Sequence, residues 1–256
     1  METKNPIQVS ERIFAVIESL AAHGAMGLQE LSTLLSLNKS TVHRILMSLI
    51  CLGYVRQDTN SLKYSLSFKF CNLATQILSQ NNMIDFVHPF LKELSEFSGE
   101  TVHLVELDDL NAVYIDKVEA TSNSMRLVSR VGKTIPLYCS GVGKAMMAEM
   151  SDQEIQTIWN RSEIIKFTPY TITIYEELLH RISEVRQKGY ALDNEENEIG
   201  VRCLAACLHS YDKTPTYAIS ISAPKERMDD TRISALADKL LKIKQQIAKK
   251  MGVTEA

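Results

Sequence analysis

No stretch of this 256-residue chain stays apolar for the roughly 18 residues a membrane-crossing helix requires, so no helical span is expected. Cysteine is sparse and odd in number: Cys51, Cys71, Cys139, Cys203 and Cys207 include no Cys-x-x-Cys pair, and no secretory leader is read ahead of them. A disulfide framework is therefore not expected, and the reducing cytoplasm is the expected compartment. Cys207 and His209 stand as an isolated Cys-x-His on a strand-like segment, a pattern that packs into a core more readily than it holds zinc, so neither metal nor cofactor is expected. Repeats and low-complexity tracts are absent. Gly143-Lys144 lacks the upstream glycine of a phosphate-binding loop and runs into Ala145 where such a loop needs Ser or Thr.

The most informative absence is acid. Between Leu31 and Gln57 there is no Asp or Glu, while Lys39, Arg44 and Arg56 are basic, so a phosphate backbone can approach this segment without repulsion. Net charge is only −3, but it is uneven: residues 1–80 hold seven basic and five acidic side chains, and the remaining 176 carry 21 and 26. A slightly basic head on an acidic remainder suits a regulator better than a general nucleic-acid coat. Within the acid-free tract, Leu28, Leu31, Leu34 and Leu35 form an apolar helical stripe opened by Gly27, a turn follows at Ser36-Leu37-Asn38, and Lys39 to Leu52 resumes the helical period. Val42, Ile45, Leu46, Leu49 and Ile50 face inward. Lys39, Ser40, Thr41, His43 and Arg44 crowd the first two turns, the polar end that a recognition helix offers to base edges and phosphates. Strand-like runs at Tyr54–Gln57 and Leu62–Leu66 around Asp58-Thr59-Asn60-Ser61 read as a hairpin wing carrying Arg56 and Lys63.

Upstream, Ser10 is expected to cap a first helix with Ile13, Phe14, Val16, Ile17 and Leu20 inward, stopped at His23-Gly24. Downstream, Phe68 to Leu78 continues as an amphipathic linker helix ending at Ser79–Asn82. The division expected is a winged helix-turn-helix over 1–67, a linker helix over 68–82 and a third segment over 83–256. That segment mixes helices with hairpins, which makes the fold α+β rather than doubly wound. Its expected strands are Thr101–Leu107, Ala112–Val118, Met125–Val131, Tyr190–Leu192, Cys203–Leu208 and Tyr217–Ser222. Its expected helices lead up to Gly99 and span Gly143–Met150, Asp152–Asn160, Tyr175–Lys188 and Ile233–Met251. Arg126 and Arg130, on one face of the third strand, read as exposed charge.

Seven ordered runs resemble the IclR family of bacterial transcription regulators: Lys39–Arg44, Leu52–Tyr54, Lys63–Leu66, Pro136–Ala145, Gly189–Glu196, Gly200–Cys203 and Ala218–Ser222. The resemblance spans nearly the whole chain. Glu100–His103, Asp116-Lys117, Ser129–Gly132 and Asp193–Glu196 look closest to the branch represented by the repressor of 2-keto-3-deoxygluconate and pectin catabolism. His209 is followed by Ser210 where the family signature carries Asp or Asn, a departure that loosens a turn. The resemblance implies a GAF-like effector-binding domain with an antiparallel sheet, assembly as a homodimer or a dimer of dimers, a palindromic double-stranded operator and a small organic acid effector. It places effector contacts on Gly141, Val142, Asp193, Cys203, Ser220 and Ser222.

The residues themselves suit that role. Ser140-Gly-Val-Gly143 opens a helix whose free N–H groups favour an anion. In Ala218–Ser222, period two sends Ile219 and Ile221 to one face and both serines to the other. Asp193 reads either as a pocket carboxylate or as part of a solvated acidic turn, whereas Glu195, Glu196 and Glu198 are expected in solvent. His103 is a further candidate donor or else a core histidine. Two other functions remain beside the sugar-acid repressor: an activator of the same family answering to another carboxylate, and a redox enzyme built on Cys139, Cys203 and Cys207. The second has no base at motif spacing from any thiol, so no catalytic residue is assigned.

Overall fold

In the computed structural model, which describes residues 6–80, 83–119, 129–209 and 214–252, the chain divides into two compact units, 1–82 and 83–256. The first contains α1 (Gln8–His23), α2 (Leu28–Leu34), α3 (Lys39–Cys51), β1 (Val55–Gln57), β2 (Tyr64–Leu66) and α4 (Lys69–Gln80). Val16, Leu20, Leu31, Val42, Leu46 and Leu49 interlock the three leading helices, and Val55 and Tyr64 close the core from the hairpin. Phe14 is 60% exposed instead of buried: it stands two residues, about 200° of helix, from Val16 and so points away from the packed stripe. Leu34, the last residue of α2, is half exposed, and the partly buried Leu35 and Leu37 of the following turn pack in its place. Ser10 lies inside the first turn of α1, donating its hydroxyl to the Ile7 carbonyl at 2.7 Å, so it is no cap. The wing pairs Val55 with Leu66 and Gln57 with Tyr64. Its tip is pinned by Asp58 Oδ1, which accepts the backbone N–H of Asn60 (3.1 Å) and of Ser61 (2.7 Å). Leu62 takes φ +57° and ends the turn, not the strand. Phe70 at the start of α4 packs its ring 5.1 Å from Tyr54, and Lys69 donates to the Leu52 carbonyl, tying α4 to the end of α3.

The second unit contains α5 (Met83–Ser98), β3 (Thr101–Asp108), β4 (Asn111–Val118), β5 (Thr134–Pro136), α6 (Gly141–Met147), α7 (Asp152–Arg161), α8 (Tyr175–Lys188), β6 (Ala191–Asn194), β7 (Val201–Leu208), β8 (Tyr217–Pro224) and α9 (Asp230–Met251). Its six-stranded sheet runs β5-β4-β3-β8-β7-β6 with every described pairing antiparallel. Both faces are covered. Alternation sends Val102, Leu104, Leu204, Ile219 and Ile221 to a core with Leu91 and Leu94 of α5 and Leu236, Leu240 and Ile243 of α9. The other face offers Ala205, Cys207 and Ala218, small residues that let α6 pack close, with Ile155, Leu178 and Ile182 behind it.

The strand expected over Met125–Val131 and the side chain of Arg126 fall largely on 120–128, outside the described residues, as does Ser210; Ser129 and Arg130 have no regular structure, and Arg130 is exposed. Strand β5 had no periodic signal in sequence, being only three residues long. Helix α6 begins two residues before the expected Gly143, because Ser140 is its cap: the hydroxyl accepts the Gly143 N–H at 3.1 Å.

Candidate functional site

In the first unit, burial of Val42, Ile45, Leu46 and Leu49 fixes the rotation of α3 and leaves Lys39, Ser40, His43 and Arg44 exposed along the opposite side, with Thr41 half-buried. Ser32 donates to the Leu37 carbonyl at 2.6 Å and, with Ser36 at φ +51°, sets the turn that presents this helix. Lys39, His43 and Arg44 have no ion-pair partner among the described residues. On the wing, Arg56 donates from Nε to the Ser65 hydroxyl at 3.1 Å and lies over the Phe68 ring, which steadies it without consuming its charge. Lys63 stands 3.7 Å from Glu30, an exposed, solvent-screened pair that contributes little and is easily exchanged for a phosphate.

In the second unit, sheet register assembles a polar row. Asp193 lies opposite Cys203, Cys203 opposite Ser222 and Ser222 opposite Thr101, so their side chains share a face. In the next row, Ala205, Ser220, His103 and Lys117 stand side by side. Asp193, Cys203, Ser222 and His103 line one cavity of about 80 Å³, joined by Tyr114 and Ser129 within and by Lys133, Thr134 and Glu198 at an exposed mouth. Ser220 sits behind His103, its hydroxyl 3.5 Å from Nδ1, while Nε2 lies 2.8 Å from the Ser129 hydroxyl. The structure therefore brings four of the seven expected effector residues to the cavity wall and a fifth, Ser220, into contact with one of them.

Gly141 and Val142 lie behind that wall. A Cβ on Gly141 would meet the Asp193 backbone N at 3.5 Å and the Cys203 carbonyl at 3.4 Å, so the start of α6 is packed directly on β6 and β7. The neighbouring Lys144 is buried and pairs with Glu196. Glu195 is likewise buried, paired with Lys225. Solvent exposure, expected for all three glutamates, holds only for Glu198, because the turn after β6 folds back on two lysines remote in sequence.

The chamber is electrically quiet. Burial pushes Asp193 up to about 7, against the pull of Lys144, and its Oδ1 accepts the Glu196 N–H at 2.8 Å. Burial, with Lys117 adding to it, holds His103 neutral by lowering it to about 3. Burial and nearby Asp193 raise Cys203, and burial raises Tyr114. Cys139 and Cys207 are pushed up to about 12, also by burial. These thiols stay protonated near neutrality, the reverse of what nucleophilic or redox chemistry needs. His209 Nε2 lies 3.3 Å from the Glu149 carboxylate, and Cys207 is buried in the core. Tyr114, Ser129, Lys133 and Asn197 were not singled out in sequence. They come from three separate segments, β4, the stretch before β5 and the turn after β6, that only the fold brings together, so no local spacing marked them as site residues.

Residues 10–59 match the IclR helix-turn-helix domain, and residues 75–249 match the bacterial transcriptional regulator IclR C-terminal family. The chain is 35% identical over 251 residues to the HTH-type transcriptional regulator KdgR of Escherichia coli K12, covering 97% of this chain and 95% of that protein. It is 32% identical to the transcriptional repressor IclR of the same organism over 249 residues, covering 96% and 90%. The crystal structure of Thermotoga maritima IclR superposes with a TM-score of 0.64 at 28% identity, covering 95% of this chain and 98% of that one. Two family matches that together cover most of the chain show that it belongs to the IclR family of bacterial transcriptional regulators, which are DNA-binding regulators and not enzymes; an exposed basic helix beside a hairpin wing and a polar cavity whose thiols stay protonated are in keeping with that.

Proposed function

We propose that the protein is a repressor of a carbohydrate or sugar-acid catabolic operon, acting in the cytoplasm as a homodimer or tetramer on a palindromic operator. Its DNA affinity responds to a small organic acid of the 2-keto-3-deoxygluconate type. The observation that carries the effector half is the convergence of Asp193, Cys203, Ser222 and His103 on one open-mouthed cavity. Their groups are a carboxyl, a thiol, a hydroxyl and a neutral imidazole, suited to the hydroxyl and keto oxygens of a short chain. The enclosed volume admits the inner part of such an acid and leaves the rest at the rim. The DNA half rests on the exposed Lys39, Ser40, His43 and Arg44 of α3, with Thr41 at their edge and Arg56 and Lys63 on the wing. The winged unit, the linker helix and the effector unit divide the work as 1–67, 68–82 and 83–256.

Gel shift with the protein's own upstream DNA, beside calorimetric titration with pyruvate, D-glycerate, D-gluconate and 2-keto-3-deoxygluconate, tests both halves. Ser222→Val removes a hydroxyl, and Asp193→Asn replaces one carboxyl oxygen by an NH2 that can only donate; each loses one hydrogen-bond partner of the acid, worth about 1–3 kcal/mol, and is expected to weaken acid binding roughly tenfold or more. DNA binding without acid should persist. Arg44→Ala should cost about 1–3 kcal/mol of operator affinity without unfolding the protein. If none of the four acids binds, the effector reading falls; if the Arg44 variant binds operator as tightly as wild type, the α3 reading falls.

A further inference from the structure

A second chamber, of about 680 Å³, opens on the other side of the acidic turn, between α8, residues 169–172 and the start of α9. The turn divides the two cavities: Asp193, Asn197 and Glu198 line the first, Asn194 and Glu196 the second. Lys144 and Glu196, both buried, line the second chamber as an ion pair with hydrogen-bonding capacity left over. Glu196 Oε2 is closed off from solvent and has no hydrogen-bond partner among the described residues, and Lys144 spends one of its three ammonium donors, on Glu196 Oε1. An unpaired buried carboxylate oxygen is costly, and the last torsion of a glutamate is soft, so Oε2 can swing to a partner in the chamber.

Charge decides what that partner is. Of the chamber's three cations, Lys144 is held by Glu196, while Arg181 and Lys188 share Glu184 at 3.5 and 4.0 Å. Lys225, over the Tyr170 ring, is held by Glu195. Asp230 is paired with Arg202 at 3.0 Å, which leaves Glu177 as the lining carboxylate without an ion pair among the described residues. An acid entering here finds no free cation. A hydroxyl, which donates and accepts, satisfies Glu196 Oε2 and a spare Lys144 donor at once. Tyr170 and Tyr190 line the chamber with aromatic rings, against which the C–H face of a sugar ring packs.

We propose that this chamber is a second ligand site, for a neutral sugar, separate from the cavity that holds Asp193. Its volume accommodates a mono- or disaccharide. The Glu196 N–H donates to Asp193 Oδ1 at 2.8 Å, and Thr171, on the chamber wall, donates its hydroxyl to the Glu196 carbonyl at 2.6 Å, so an occupant that moves Glu196 reaches the first cavity through one residue. The sugar site stands whether or not the first cavity takes the effector acid; the link between the two rests on that reading, and it must be reciprocal.

The test is calorimetry on the full chain with D-glucose, D-galactose, D-xylose and sucrose, beside putrescine and 2-keto-3-deoxygluconate as charged probes. At least one sugar should bind. Tyr170→Ala and Glu196→Gln should weaken it about five- to tenfold, while Ser222→Val, in the first cavity, binds it like wild type. Tyr170 is more than half exposed, so its truncation leaves the fold intact, and thermal unfolding checks Glu196→Gln, which alters a buried pair. If no sugar binds, or if Ser222→Val loses the sugar and Tyr170→Ala keeps it, the second site is wrong. If putrescine or the acid is the probe that Tyr170→Ala weakens, the chamber serves another chemistry and the sugar assignment falls. Saturating sugar should change the affinity for 2-keto-3-deoxygluconate about fivefold or more. An unchanged affinity overturns the link between the cavities; failure of the acid to bind at all removes that link with the effector reading and leaves the sugar site standing.

Discussion

Asp193 and His103 stand on the same cavity wall and are displaced from their ordinary ranges in opposite ways, which makes the unit's stability a readout of both. Asp193 at about 7 keeps a proton that the unfolded chain releases near 4, so its contribution is full below about pH 4 and is lost as pH rises through 7. His103 at about 3 refuses a proton that the unfolded chain takes near 6.5, so its contribution is full above 6.5 and is lost as pH falls toward 3. Between about pH 4 and 6.5 the two slopes, each at most about 1.4 kcal/mol per pH unit, oppose one another. Asp193→Asn removes one of them. Urea midpoints followed by Trp159, the sole tryptophan of the chain and packed against Tyr138 and Tyr175 in the second unit, should rise more steeply with pH in this range than in wild type. Parallel pH profiles for the two proteins would show that Asp193 is not displaced. The alternation of Ser220 with Ile219, and hence the polar face of β8, is visible in the residue order; the fate of the acidic turn is not. Asp193, Glu195, Glu196 and Glu198 look alike in sequence, and what separates them is pairing with Lys144 and Lys225, 52 and 30 residues from their partners.

At the scale of elements, periodic signals were legible wherever one face packs on a core, and failed where a backbone contact decides. Helices α3 and α8 and strands β7 and β8 carry stripes or alternation that tertiary packing reinforces, so their positions follow from the order of residues. The start of α6 does not. Its glycines read as a row of anion-binding amides, yet Gly143 is there for space: a Cβ would fall 2.2 Å from the Leu137 carbonyl oxygen, an approach that backbone cannot relieve cheaply. Gly141 has neighbours only from 3.4 Å outward, which is ordinary contact. Gly143→Ala is therefore expected to destabilise the second unit by at least about 1–3 kcal/mol, whereas Gly141→Ala, gaining up to about 1 kcal/mol of helix propensity, should be nearly neutral. Urea titration of both variants by tryptophan fluorescence decides it. Equal losses would mean that the two glycines serve one purpose, as the sequence alone suggests.

For the molecule as a whole, regulation requires that the acid prefer one state of the assembled protein, because a ligand that binds both states equally shifts nothing however tightly it binds. The charge split, a basic excess of two over residues 1–80 and an acidic excess of five beyond, confines phosphate attraction to the winged unit. On the proposed reading, Lys39, Arg56 and Lys63 would supply three cations per subunit to backbone phosphates, with Arg44 counted as a base-edge contact. If two-fold symmetry pairs two winged units on DNA, about six phosphates are neutralised and the logarithm of operator affinity should fall with the logarithm of salt at a slope near −5. A lone subunit gives about −3. The same symmetry makes the operator an imperfect palindrome with half-sites a helical turn or a multiple of it apart. Gel shifts across a salt series, run with sedimentation of the protein–DNA complex, measure both quantities on one sample. A slope near −3 with one subunit bound at full affinity would overturn the symmetric reading. A slope near −5 that drops by about 2 in Lys63→Gln would place the wing lysines of both subunits on the DNA.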